Sequence, residues 1–196
     1  MLKEQLGKYN IILASASPRR QELFKTLDIE FEVNLKPVLE TYSTRLERAE
    51  ITDYLSQLKA KAFKGNLNSN DLLITSDTIV WHKGKALEKP IDTKDASKML
   101  TELSGITHEV ITSVCFTTNT MQQTVNDITK VSFKKLSKEE ISYYIKNYKP
   151  FDKAGAYGIQ DWFGKIAVTH IEGSYFNVMG LPVHIVYKTL NEIIER

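Results

Sequence analysis

Two arginines in the first turn of a helix are a poor choice for stability, because cations there oppose the helix macrodipole. The segment Leu13-Ala14-Ser15-Ala16-Ser17-Pro18-Arg19-Arg20 makes that choice. An apolar run leads into a small-residue turn. Ser17 then offers an N-cap, and Pro18 suits the first helical position, where its missing N–H costs nothing. Backbone N–H groups, two hydroxyls and two guanidinium forks together describe a pocket for a multiply charged anion, most simply a phosphate. The competing reading is a surface helix whose arginines reach water.

A second signal is Thr75-Ser76-Asp77-Thr78-Ile79-Val80, which embeds a carboxylate in an apolar strand. An ionised Asp77 in such a place needs hydrogen bonds, a cation or a metal. Strand alternation sets Asp77 opposite Ser76 and Thr78, which suggests a strand end or a bulge beside the site. A turn-facing Asp that caps a neighbouring helix is the plainer alternative. Glu40, in Pro37-Val38-Leu39-Glu40-Thr41, is another carboxylate, read alone as a solvated loop residue.

Three lysines follow. Lys59 lies one turn after Leu55, at the edge of a buried stripe. Lys89 is held extended by Pro90, which disfavours helix for the residue before it. Lys153 opens the small, aromatic stretch from Asp152 to Gln160. Each lysine alone is a solvated side chain, and only convergence would give it a role. The scattered His82, His108, His170 and His184 have no zinc-ligand spacing. No GxxxxGK[ST] or GxGxxG occurs, and Ser15 and Ser17 lack a histidine partner for a hydrolase triad.

The elements that must position these residues alternate along the chain. Tyr9 to Ala14 reads as a buried strand, followed by a helix from Pro18 with Leu23, Phe24 and Leu27 inside. Glu47 to Phe63 carries helical spacing at Ile51, Tyr54, Leu55, Leu58 and Ala62. After a surface turn from Gly65 to Asp71, Leu72 to Trp81 reads as a strand, turned at 82–85. A helix over Thr93–Leu103 stops at Ser104-Gly105. Two long strands follow, Glu109–Thr118 and Gln123–Lys134. Val125, Ile128, Val131 and Phe133 do not share one phase, which implies a bulge or a register slip. Ser137-Lys138-Glu139-Glu140 is a capping box for a helix ending near Tyr148. Ile166 and Val168 suggest another strand, and Pro182 opens a C-terminal helix. Two successive strands without a helix between them make the class α/β with a mixed sheet.

Composition sets the outer limits. For 196 residues, 42% apolar, folding buries roughly 70% of the unfolded chain's surface. Lys+Arg number 26 and Asp+Glu 24, a net charge of +2 that excludes a strong general polyanion binder. The lone Cys115 cannot form an intramolecular disulfide. Met1 to Gln5 holds no apolar signal core, and no stretch reaches the ~20 apolar residues of a membrane span. The expected setting is cytoplasmic, without nucleic-acid or membrane partners.

Taken in order, the motifs resemble the Maf family of nucleoside triphosphate pyrophosphatases. They are Leu13 to Arg20, Leu55 to Ala60, Asp77 to Val80, Lys89-Pro90, Ser104 to Thr112, Asp152 to Gln160 and Gly173 to Pro182. The resemblance covers nearly the whole chain and implies a single Maf-like domain over 1–196. It implies an elongated, two-lobed α/β fold with a mixed central sheet, like the inosine triphosphate pyrophosphatases, with a cleft between the lobes. It also implies cleavage of a triphosphate into a monophosphate and pyrophosphate with Mg²⁺ or Mn²⁺. Asp77-Thr78 and the Gly173–Pro182 segment look like the family's dTTP/UTP arm rather than its 7-methyl-GTP arm.

Carried over by position, Asp77 is the proton acceptor and Arg19, Thr78 and Gln160 tune nucleobase choice. Ser15, Arg20, Lys59, Lys89 and Lys153 line the phosphates, and Asp77 with Glu40 would hold the metal. Ser56, Glu88 and Ser113 depart from the family pattern without removing an assigned role, and Glu88 adds charge beside Lys89. Modified pyrimidine triphosphates are further expected substrates, a homodimer is compatible with the resemblance, and the cellular role is housecleaning or linked to cell division. The rival readings are a 7-methyl-GTP pyrophosphatase and a non-catalytic, nucleotide-binding regulator of septum formation.

Overall fold

The structure, a computed structural model, describes residues 2–195. Met1 of the expected N-terminus and the last residue of the 1–196 domain therefore lie outside the described residues. A short helix α1 (Leu2–Gln5) leads to strand β1 (Asn10–Leu13), helix α2 (Pro18–Lys25) and strand β2 (Glu32–Val33). Helix α3 (Ala49–Lys61), strands β3 (Asp71–His82) and β4 (Lys85–Leu87), and helix α4 (Thr93–Leu103) follow. Then come β5 (Thr107–Thr117), β6 (Gln122–Phe133), α5 (Lys138–Tyr148), α6 (Trp162–Ala167), β7 (Val168–Glu172), α7 (Tyr175–Met179) and α8 (Val183–Ile194).

The strands form a mixed sheet in the order β2-β1-β3-β5-β6-β7, with β4 also beside β3. β1 runs parallel to β2 and β3, while β3–β4 and β6–β7 are antiparallel. This is the α/β mixed sheet expected from sequence. The β3–β4 hairpin turns through Lys83 and Gly84, both at positive φ, which matches the right-handed twist of the flanking strands.

Contacts divide the chain into two compact units. One comprises 1–77, 112–127 and 180–196, the other 78–111 and 128–179. In the first, Ile12, Ala60, Phe63, Leu73 and Cys115 form a buried cluster, so α3 packs on the strands that carry the candidate site. In the second, Leu100, Leu103, Val131, Phe133, Tyr144, Tyr157 and Phe163 lie in one larger cluster.

The local signals act as their chemistry dictates. Ser17 caps α2 by accepting from the Arg20 N–H, with Pro18 at the first helical position. Ser137 and Glu140 close both halves of the capping box on α5. The irregularity expected in the second long strand lies at Ser132/Phe133, where the register with β7 shifts. Two assignments fail. Leu27, expected inside the first helix, lies two residues beyond α2 and is half-buried. Ile166 sits in α6, and the strand begins only at Val168. Apolar alternation over so few residues does not separate a helix turn from a strand.

Candidate functional site

Asp77 sits inside the twelve-residue β3 rather than at its end, and it is only 7% exposed. The expected strand end is therefore replaced by a carboxylate in mid-strand, stabilised by charge. Lys59, from the last turns of α3, donates to Asp77 Oδ1 at 2.6 Å and also reaches Glu40 Oε2 at 3.2 Å. Lys59 Nζ further approaches the Ser76 carbonyl at 3.4 Å. Arg20, on α2, donates Nη1 to the same Ser76 carbonyl at 2.9 Å and Nε to the Gly180 carbonyl at 2.7 Å. Arg20, Glu40, Lys59 and Asp77, distant in sequence, thus share one neighbourhood in the first unit.

Electrostatics there are opposed. Burial raises the Asp77 carboxyl above its ordinary range; Lys59 and Arg20 pull it down again, and Glu40 adds to the rise. Burial lowers the Arg20 guanidinium, Asp77 works against that, and neighbouring Arg19 adds to the lowering. An arginine stays charged under either influence. The cluster is a buried carboxylate facing fixed positive charge.

In the turn before α2 both hydroxyls also serve the backbone. Ser15 is buried, and its Oγ accepts from the Ser17 N–H at 3.3 Å. Ser17 Oγ accepts from the Arg20 N–H at 3.4 Å, and Gln21 donates to the Ser15 carbonyl at 2.9 Å. Both hydroxyls therefore shape the turn. Two of the five donors of Arg20 hold carbonyls, which ties β3 to the segment between α7 and α8.

The second unit holds Thr78, Lys89, Lys153 and Gln160. Thr78 follows Asp77 on β3 and is half-buried, whereas Lys89 is exposed. Lys153 Nζ lies 2.8 Å from Asp152 and 3.8 Å from Asp161. Tyr144, fully buried on α5, donates its hydroxyl to Asp161 at 2.9 Å and accepts from the Gly158 N–H at 3.0 Å. This phenol holds the 153–161 loop closed. A Cβ on Gly158 would meet Asp161 Oδ2 at 2.5 Å and Lys153 Cε at 2.9 Å, so a larger residue there would push both charged side chains aside. Gln160 Oε1 is buried with no hydrogen-bond partner among the described residues, an acceptor that invites a donor from a ligand.

Sequence reasoning passed over Tyr144, Asp161 and Thr75. Thr75 Oγ1 donates to the Ser56 carbonyl of α3 at 2.7 Å. For Asp161 the only signal was its place beside Gln160. Thr75 opens the Asp77 segment but carried no role of its own, and Tyr144 gave no signal, since both act through partners distant in the chain.

Among the described residues, no group of three or more His, Cys, Asp or Glu side chains could hold a metal ion. Asp77 and Glu40, both reached by one ammonium, are two carboxylates. Mg²⁺ and similar ions bind through one or two carboxylates plus substrate phosphates. The donor set fits an ion carried in on phosphates rather than an all-protein cage. No helix among the described residues is long and apolar enough to cross a membrane.

Comparison with known proteins places these residues in a family. A family model described as Maf-like protein matches residues 10–193, and the chain belongs to the Maf family. A dTTP/UTP pyrophosphatase of Flavobacterium johnsoniae is 60% identical over 99% of this chain and 100% of its own. Another dTTP/UTP pyrophosphatase, from Flavobacterium psychrophilum, is 58% identical over 95% of this chain and 96% of its own. Among solved structures, the Ham1 protein of Staphylococcus aureus is 16% identical, covering 63% of this chain and 71% of its own, with a TM-score of 0.49.

Proposed function

We propose that this chain is a nucleoside triphosphate pyrophosphatase that hydrolyses dTTP and UTP, and modified pyrimidine triphosphates, to the monophosphate and pyrophosphate. The observation that carries the reading is Asp77, buried in mid-strand with Lys59 at 2.6 Å. The names of relatives at 60% and 58% identity support the substrate class.

In this mechanism Asp77 accepts a proton from the attacking water, and its raised carboxyl pKa makes it a better base than a free aspartate. The water oxygen joins the α-phosphorus, the α–β bridging bond breaks, and pyrophosphate leaves with the bridging oxygen. Arg20 and Lys59 oppose the charge that gathers on the phosphates, with Lys89, Lys153 and Ser15 as further phosphate-binding groups. Arg19, Thr78 and Gln160 select the base. The unpaired Gln160 Oε1 suits the imide N–H that thymine and uracil share. Asp77 and Glu40 would hold Mg²⁺ or Mn²⁺, which when bound supplies charge neutralisation and a more acidic water. On this reading the chain acts as one Maf-like domain in the cytoplasm, as a monomer or homodimer, with housecleaning or a link to cell division as its role.

The test is a panel of dTTP, UTP, dCTP, GTP and 7-methyl-GTP with Mg²⁺ or Mn²⁺, following pyrophosphate and orthophosphate separately. Pyrophosphate from dTTP and UTP is expected, and Gln160→Ala should alter the ratio among bases. Orthophosphate release, preference for 7-methyl-GTP, or binding without turnover would each overturn the reading.

A further inference from the structure

Lys59 meets Asp77 only if α3 lies at the right height along β3. We infer that Thr75 is the residue that sets this height, a positioning residue that acts on the reaction through Lys59. The inference rests on the pyrophosphatase reading above. Thr75 is fully buried, and its hydroxyl donates to the Ser56 carbonyl at 2.7 Å. A helix carbonyl has a second lone pair for such a bond.

The spacing on both elements makes the link direct. Thr75 and Asp77 are two apart on a strand and so share a face. Ser56 and Lys59 are three apart on a helix and are surface neighbours. From the bonded pair to the charged pair, the strand advances about 6.6 Å and the helix about 4.5 Å. The long Lys59 side chain closes the remaining gap and reaches Asp77 Oδ1 at 2.6 Å.

Other contacts leave this task to Thr75. The first half of α3 is fixed separately, where Ser113 Oγ lies 2.6 Å from Thr52 Oγ1 and donates to Asp53 Oδ1 at 2.6 Å. Those contacts lie one to two turns before Lys59. Gln57, two residues before Lys59, donates to Thr124 Oγ1 at 3.1 Å, but that bond is exposed and does not reach β3. Thr75 gives the buried bond from β3 to this part of the helix, and the next residue, Ser76, presents the carbonyl that Lys59 and Arg20 approach together. A side chain serving only to fill space at this place would need no hydroxyl.

The experiment separates hydroxyl from volume. Thr75→Val keeps the shape and loses the bond, while Thr75→Ser keeps the bond and loses a methyl group. Thr75→Val should lower kcat/KM for dTTP about tenfold, and Thr75→Ser should recover most of it, because small misplacements near reacting groups are costly. In a Lys59→Met background, Thr75→Val should change kcat/KM by less than about twofold, since residues that act through one another are not additive. Equal loss in both backgrounds, a silent Thr75→Val, or Ser as damaging as Val would overturn the inference. If Thr75→Val does not fold, Thr75→Ala against Thr75→Ser makes the same contrast. Full activity in Asp77→Asn would instead remove the pyrophosphatase mechanism, whatever Thr75 does.

Discussion

Asp77 and His108 are both titratable, both nearly buried and both on strands, yet the protein treats them in opposite ways. Asp77, in the first unit, is 7% exposed and meets a lysine at 2.6 Å. His108, in the second, is 3% exposed and meets the Tyr157 hydroxyl at 2.8 Å and the edge-on rings of Phe133 and Tyr157, with no charged partner within hydrogen-bond reach among the described residues. Burial pushes its imidazole down to about 3, with His82 adding to the fall. One site accepts the cost of a buried charge and compensates it with cations; the other avoids the charge. A group meant to exchange protons needs the first arrangement, and a group meant to pack needs the second.

The sharpest way to break this contrast is to make Asp77 unable to titrate. Asp77→Asn should lower turnover by ~10²-fold or more, the scale of losing a general base. Stability should hold, because Lys59 keeps Glu40 as a partner at 3.2 Å and a neutral amide is easier to bury than a carboxylate. Steady-state rates and urea unfolding of the same preparation check both halves. Loss of rate together with loss of fold would make Asp77 a structural group like His108.

How much of this contrast the sequence discloses depends on how far each partner lies along the chain. Ser17, Pro18 and the Ser137–Glu140 box are readable because each works within one helical turn. Asp77 is readable because a carboxylate among Ile and Val requires compensation. What supplies that compensation is not. Lys59 lies 18 residues from Asp77, and the Arg20 bond to Gly180 spans 160. His108 looks like any strand residue until Tyr157 is seen to close over it from 49 positions away. Ile166 misleads for a related reason, since its helix is a single short element whose apolar spacing also suits a strand.

A second test acts on His108 through pH. Its folded-state value lies below the ordinary 6.5, so the unfolded chain binds a proton that the folded one refuses. Stability from this group is present above about pH 6.5 and declines as pH falls towards about 3. At pH 5 the loss amounts to about 2 kcal/mol from the linkage relation. Burial lowers His82 as well, so wild type must be compared with His108→Gln rather than read alone. The unfolding free energy of the variant should fall less steeply between pH 7 and pH 5. Equal slopes would show that His108 takes up a proton without strain, and its likeness to a packing residue would fail.

The smallest expected effect marks the boundary of the contrast. Ser137 lies in the second unit and serves only α5, accepting from the Glu140 N–H while Glu140 accepts from the Ser137 N–H at 2.8 Å. Glu140 also pairs with Lys134 at 2.6 Å and keeps that partner if the serine is lost. Ser137→Ala should therefore cost about 1 kcal/mol of stability, the usual worth of a cap. It should leave kcat/KM for dTTP unchanged, because α5 reaches the loop carrying Lys153 and Gln160 through buried Tyr144, two turns further along. Urea midpoints and dTTP kinetics measured together decide the point. A change in kinetics would mean that fraying at the start of α5 propagates to Tyr144, and the second unit would then do more than pack.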